Sequence, residues 1–244
     1  MVGPSVKQRL EDIRQRLERA RAKAGRAAGS VHLLAVSKLH SSDKIRQALS
    51  LGQIDFAENY VQEAVQKVAE FGDLSVRWHF IGRIQSNKLK FLVNGFAVIH
   101  SVDRLSIAEG LERLLKPMGK RQDIFLQFNV AAEDSKGGQS ASGVTELALS
   151  VMRTCPHLRV LGLMVMPPLT DNAEQVRPLF RQAKILCDDL RAMLSLEQQK
   201  LHPMDQLSMG TSHDFEVAIE EGATWVRIGT DIFGARAEPA EEKT

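Results

Sequence analysis

Eight short apolar or β-branched runs, with helical periodicity in the segments between them, constrain this 244-residue chain more than any other feature of its sequence. The runs fall at 32–37, 54–57, 78–81, 97–101, 124–130, 160–166, 206–209 and 225–228. Helical patterns lie between them at 59–71, 104–115, 142–154, 172–195 and 213–221, with shorter segments after the first and third runs. Strands that alternate with helices need crossover connections and therefore lie parallel; eight such units in this length favour closure into a (β/α)8 TIM barrel. A doubly wound open sheet is the alternative.

Several boundaries are set by local chemistry. Val6, Leu10, Ile13, Leu17, Ala20 and Ala24 recur three or four apart in residues 5–24, and Ser5 with Gln8 has capping-box spacing, so an amphipathic helix precedes the first strand. Asn59 and Gln62 stand where they could cap the helix at 59–71, which runs out at Gly72, and Ser212 is placed to cap the one that ends at Gly222. Pro178 sits awkwardly inside the 172–195 pattern. No Pro-, Gly- or Ser-rich linker divides the chain. The expected organisation is one domain over 1–244: an N-terminal helical segment at 5–28, a barrel at 30–236 and a tail at 237–244.

Charge argues against two classes of partner. With 32 basic and 30 acidic side chains interspersed, there is no concentrated field to draw the protein to nucleic acid or to a membrane. Lys88 and Lys90 read as a solvated helix face. Cys155 and Cys187 have neither CxxC spacing nor ligand-spaced neighbours, so no metal site or disulfide framework is indicated. The N-terminus has no apolar signal region, Glu11, Asp12 and Glu18 are wrong for a transit peptide, and no apolar stretch could span a bilayer, so a cytoplasmic location is expected.

Closed barrels carry their chemistry on the loops after the C-terminal ends of the strands. Here those loops hold Lys38, Glu58 and Asn59, the segment from Gly82 to Gln85, Ser101 to Arg104, Glu133 to Gly138, Pro167, Gly210 to Ser212 and Gly229 to Asp231. Strand alternation puts Lys38 on the same side as Leu34 and Val36. On an inner rim, desolvation would disfavour its ammonium form and free the amine for attack on a carbonyl; from this segment alone, a lysine that snorkels to solvent is the commoner outcome. Run seven, containing Ser208, leads into Gly210, Thr211 and Ser212, and run eight, containing Arg227, leads into Gly229 and Thr230. Open backbone N–H groups and hydroxyls in those two loops would suit a phosphate. With the lysine of strand one beside strand eight, the three loops describe a site for a phosphorylated aldehyde held at both ends.

The motifs Ala35-Val36-Ser37-Lys38, Phe56-Ala57-Glu58-Asn59-Tyr60-Val61-Gln62-Glu63, Trp78-His79-Phe80-Ile81-Gly82, Gln85-Ser86-Asn87-Lys88, Ser135-Lys136-Gly137 and Leu207-Ser208-Met209-Gly210 resemble those of the pyridoxal phosphate homeostasis proteins, as does Val226-Arg227-Ile228-Gly229-Thr230 with Ile232-Phe233-Gly234. The resemblance runs from about residue 31 to 236 with the motifs in the family's order. It implies a barrel like the N-terminal domain of alanine racemase, with Lys38 forming a Schiff base to pyridoxal 5′-phosphate, Arg227 near the pyridine nitrogen, Asn59 beside the cofactor, and Ser212, Gly229 and Thr230 on the phosphate. Ser208 and Thr211 complete the candidate cofactor-binding set. Ala57 replaces the family's usual glycine, Arg83 a commoner His or Pro, and Thr211 a commoner Met. If the glycine marks a positive φ, Ala57 would cost roughly 1 kcal/mol.

The resemblance further implies a carrier or regulator of intracellular pyridoxal phosphate, serving pyridoxal phosphate-dependent apoenzymes, without strong turnover. A racemase would need a second acid/base group and a covering domain, for which the eight residues after Arg236 leave no room; a Schiff-base aldolase would need a proton-transfer partner beside Lys38, and none is identifiable. Arginine can only donate, so Arg227 against the pyridine nitrogen would weaken the ring as an electron sink. His79 and His100 read as hydrogen-bonded core or rim residues without an assigned role, and Lys136 as a surface lysine that could reach an aldehyde if its loop folds over the mouth.

Overall fold

The computed structural model describes residues 3–72, 74–131 and 137–235. In chain order these form α1 (Val6–Lys23), β1 (His32–Val36), α2 (Ser42–Ser50), β2 (Asp55–Glu58), α3 (Val61–Glu70), β3 (Arg77–Phe80), α4 (Leu89–Leu92), β4 (Val98–Val102), α5 (Leu105–Leu115), β5 (Gln122–Phe128), α6 (Ala141–Thr154), β6 (Leu158–Val165), α7 (Arg177–Ala192), α8 (Leu196–Leu201), β7 (Gln206–Ser208), α9 (Phe215–Glu220), β8 (Trp225–Ile228) and α10 (Thr230–Phe233). Each strand pairs in parallel with the next, and β8 pairs with β1 through His32 and Trp225, Leu33 and Val226, Leu34 and Arg227, and Ala35 and Ile228. The sheet is therefore a closed eight-stranded barrel rather than an open doubly wound sheet.

Closure leaves two apolar layers. The larger lies between strands and helices and includes Phe56, Phe80, Ile99, Ile124, Phe180 and Ile228. The smaller fills the barrel and includes Leu34, Val36, Ala57, Phe125, Met164 and Trp225. Strands covered on both faces read as nearly continuous buried runs, as β2 and β8 do. Helix α1 begins with the expected reciprocal Ser5–Gln8 capping box and buries Val6, Leu10, Ile13 and Ala20 while packing against α2, α9 and α10. Arg26 ties its exit to the barrel by donating to the carbonyls of Ile219 and Ala223 at 3.0 and 2.6 Å.

Several local expectations are corrected. Helix α3 starts at Val61 with Tyr60 as N-cap, so neither Asn59 nor Gln62 caps it, and it ends at Glu70. Helix α9 starts at Phe215 with Asp214 at its N-cap position, so Ser212 lies in the preceding turn. Pro178 falls in the first turn of α7, where its missing N–H costs nothing, because a separate 3-10 turn over Ala173–Val176 precedes it. Helix α7 ends at Ala192, and the reciprocal capping box of Ser195 and Gln198 starts α8 as a separate helix. Strand β5 begins earlier than its apolar run because Gln122 is buried and donates to the carbonyls of Phe96 and Ala97 at 3.2 and 3.0 Å. Ala57 is an ordinary strand residue: among the described residues the non-glycine residues with positive φ are Leu39 and Met204, so the backbone cost considered for Ala57 does not arise. The Ser135–Lys136 motif and the tail at 237–244 lie outside the described residues.

Candidate functional site

A cavity of about 480 Å³ opens at the C-terminal end of the barrel, walled by Val36, Ile81 and Met166 and by polar groups from the loops after β1, β2, β7 and β8. Of the candidate residues, Lys38, Asn59, Thr211, Ser212, Arg227, Gly229 and Thr230 all line it. Ser208 does not; it is fully buried behind Arg227.

Lys38 follows inward-facing Val36 and is half-buried. Both of its chain neighbours are anchored. Lys67 of α3, itself only 6% exposed, donates to the Ser37 carbonyl at 2.7 Å, to Glu58 Oε1 at 2.8 Å and to Glu63 Oε1 at 2.7 Å. The Ser37 hydroxyl donates to the same Glu58 oxygen at 2.6 Å. The Leu39 N–H donates to Glu63 Oε1 at 2.7 Å, in a backbone held at φ 60°. A left-handed conformation at a leucine persists only where its surroundings impose it, and here a carboxylate gripped by a buried ammonium does so. Burial raises the Glu58 carboxyl above its ordinary value, against the opposing pull of Lys67. Sequence reasoning missed this cluster. The one signal for it was the helical i,i+4 spacing of Glu63 and Lys67, which reads equally well as a surface pair.

Asn59 follows directly on β2, its side-chain Oδ1 buried without a hydrogen-bond partner among the described residues. Gly82 explains how closely the β3 loop approaches it, since a Cβ there would lie 1.9 Å from the Asn59 carbonyl oxygen.

The loop after β7 turns at Gly210, whose φ of 93° suits glycine. Thr211 donates from both its N–H and its hydroxyl to Asp214 Oδ1, at 2.6 and 3.0 Å. The N–H groups of Ser212 and His213 have no acceptor among the described residues, and neither do those of Thr230 and Asp231 at the start of α10. Of these, Ser212, His213 and Thr230 line the cavity, so open donors stand beside the Ser212 and Thr230 hydroxyls, an arrangement suited to an anion with several oxygens.

Arg227 is buried at the cavity floor. Its Nη1 donates to the Ser208 carbonyl at 2.5 Å and hydroxyl at 3.0 Å, and its Nη2 to the Val165 carbonyl at 2.8 Å. Nε donates to nothing among the described residues. Burial lowers the guanidinium to about 10, which leaves it charged at neutral pH. His79 and His100 are buried below this floor, as expected of core histidines. Among the described residues there is no group of three His, Cys, Asp or Glu side chains that could hold a metal ion, and no helix long and apolar enough to cross a membrane.

A lysine just beyond β1, open donors in the loops after β7 and β8 and a buried arginine on β8 meet at one end of this barrel. The alanine racemase N-terminal domain profile matches residues 8–237. The chain belongs to the pyridoxal phosphate homeostasis protein family within it: it is 40% identical to the member from Aquifex aeolicus, covering 94% of this chain and 97% of that one, and 43% identical to the member from Pseudomonas aeruginosa, covering 95% and 96%. Among solved structures, it resembles PipY of Synechococcus elongatus PCC7942 with pyridoxal phosphate bound, at 36% identity and a TM-score of 0.76 over 90% of this chain and 100% of that one. An alanine racemase from Clostridium difficile shares the fold at 13% identity and a TM-score of 0.66, covering 98% of this chain and 57% of that one.

Proposed function

We propose that this protein binds pyridoxal 5′-phosphate in the cavity at the C-terminal end of its barrel, and that it carries or regulates the cofactor in the cytoplasm for pyridoxal phosphate-dependent apoenzymes instead of turning over a substrate. The observation that carries this reading is the convergence of Lys38, Arg227 and the residues bearing open N–H groups in loops seven and eight, Ser212, His213 and Thr230, on one cavity. When bound, the cofactor supplies an aldehyde that condenses reversibly with an amine, and Lys38 is the amine offered. Ser212, Thr230 and the open N–H groups would hold the phosphate. Asn59, whose Oδ1 has no partner among the described residues, would be available to accept from the cofactor. Arg227 would present Nε as a donor toward the ring and could not accept a proton from it. The relatives named as pyridoxal phosphate homeostasis proteins, and PipY with the cofactor bound, support the same reading.

The test is borohydride reduction of the protein loaded with pyridoxal 5′-phosphate, followed by peptide mapping. The label is expected on Lys38. A label found mainly on Lys136 or another lysine would overturn the assignment.

A further inference from the structure

An unbroken line of buried polar side chains crosses the barrel interior from the first residue of β2 to Arg227. Asp55 Oδ1 lies 3.1 Å from His79 Nε2, His79 Nδ1 lies 2.9 Å from His100 Nε2, and His100 Nδ1 lies 2.8 Å from the Ser208 hydroxyl that accepts from Arg227. His79, His100 and Ser208 are 1%, 0% and 0% exposed, so water does not complete their bonding.

The two ends determine the direction of every link. Burial raises the Asp55 carboxyl, but hydrogen bonds from His79 and Arg77 outweigh it and hold the group below its ordinary value, so Asp55 is ionised and accepts only. His79 must therefore carry its proton on Nε2. Burial also lowers both imidazoles, which are neutral, so His79 Nδ1 accepts from His100 Nε2–H and His100 Nδ1 accepts the Ser208 hydroxyl proton. The Ser208 oxygen is then free to accept from Arg227, which can only donate. One arrangement of protons satisfies every group.

An added proton would undo that arrangement. An imidazolium at His79 donates from both nitrogens, so His100 would have to accept on Nε2 and donate from Nδ1 toward Ser208. The Ser208 oxygen would face two donors with its own proton displaced from its acceptor, and a second positive charge would lie near a buried guanidinium. Among the described residues, the other charged or titratable groups acting on the line are Arg77, 2.7 Å from Asp55; His32, stacked on Trp225; and Asp214, whose charge acts on Arg227.

We propose that Asp55, His79 and His100 are positioning residues that act through Ser208 on Arg227, holding its guanidinium at the cavity floor through a one-way chain of hydrogen bonds that runs the depth of the barrel. The consequence for ligand binding rests on the cavity being a pyridoxal 5′-phosphate site; the direction of the chain does not.

The first measurement uses the full chain without cofactor: long-range 1H–15N spectra of the histidine rings, assigned with single His79 and His100 variants. Both rings are expected neutral with the proton on Nε2. A charged ring, or a proton on Nδ1 of either, overturns the chain whether or not the protein takes up the cofactor. The second measurement compares His100→Phe with His100→Asn. Phenylalanine preserves the ring packed on Phe125 and leaves the Ser208 hydroxyl without its acceptor, whereas the Asn oxygen can stand in for Nδ1. His100→Phe is expected to weaken retention of pyridoxal 5′-phosphate about tenfold and to shift the pH profile of its visible absorption, and His100→Asn to recover most of both. Wild-type retention and pH profile in His100→Phe, with only a lower melting temperature, would reduce His100 to packing and overturn its positioning role. Ser208→Ala provides the same comparison if His100→Phe does not fold, because Arg227 keeps the carbonyls of Ser208 and Val165 as acceptors.

Discussion

Leu34 and Arg227 are register partners across the seam between β1 and β8. The strand that leads to Lys38 and the strand that carries the floor of the cavity are thus direct neighbours, although they come from opposite ends of the chain. The amine and the guanidinium reach one cavity because the barrel closes there, and substitutions around that seam separate their roles.

Removal of the amine should silence the site without loosening the protein. Lys38 is half-buried at the rim, so Lys38→Ala is expected to abolish the visible absorption band of the loaded protein while shifting the stability of the unloaded one by less than about 1 kcal/mol. Absorbance and thermal unfolding check the two halves. A persistent band would place the reactive amine elsewhere.

The phosphate should dominate affinity. Hydrogen bonds to a charged partner contribute about 1.5–3 kcal/mol each, so pyridoxal lacking the phosphate should bind at least roughly a hundredfold more weakly. The double substitution Ser212→Ala with Thr230→Ala is expected to remove part of that preference, leaving the open N–H groups to supply the rest. Titration calorimetry with both ligands measures it. Equal affinities in the wild type would show that the loops after β7 and β8 do not hold the phosphate.

Gly82→Ala tests how Asn59 is held. The added Cβ would collide with backbone, which cannot swing aside like a side chain. A loss of roughly 1–3 kcal/mol in stability is expected, together with weaker cofactor retention as Asn59 is displaced. Unchanged denaturant midpoint and affinity would mean that the two loops separate at little cost.

The buried Glu58 predicts a pH dependence of definite sign. Its folded-state value is raised above 4.5, so between 4.5 and that raised value the folded protein retains a proton that the unfolded chain has released. Stability then falls as pH rises through this window, and the stability of the wild type relative to Glu58→Gln should decline from acid to neutral pH. Denaturant titrations of both proteins test it, and a gap independent of pH would show an unshifted carboxyl. Lys67→Ala, which leaves Glu58 buried without its cation, should cost about 3–5 kcal/mol.

Arg227 bears on turnover. A donor against the ring nitrogen leaves the cofactor a poor electron sink, so the loaded wild type should show no sustained racemase, transaminase or decarboxylase turnover with common amino acids, and Arg227→Ala should weaken retention. Steady-state assays and dialysis measure these. Sustained turnover with any common amino acid would overturn the carrier reading.

The barrel was legible because periodicity is a local property: each of the eight runs announces itself without reference to its neighbours. Lys38 and Arg227 were legible because they sit at or just beyond strand ends, on the parity of Leu34, Val36 and Trp225, which face the barrel interior; Thr230 was legible as a hydroxyl in the loop after the eighth run, and Asn59 through the family motif. Caps were less so. Asn59 and Ser212 have the chemistry of N-caps, but Asn59 lines the cavity and Asp214 occupies the turn before α9, and neither outcome is written in local spacing. Illegible too were the polar groups that meet only through closure. Lys67 finds Ser37, and His100 finds Ser208, across distances in sequence that no window of periodicity spans.

The seam between β1 and β8 also orders events during synthesis. On the ribosome, Lys38 emerges long before Ser212 and Thr230, so the nascent chain carries the amine without the cradle. If the proposed site holds the cofactor by both ends, it would engage only a barrel already closed, and its binding free energy would accrue to the finished fold rather than to any precursor. On that reading, cofactor uptake would report completed folding.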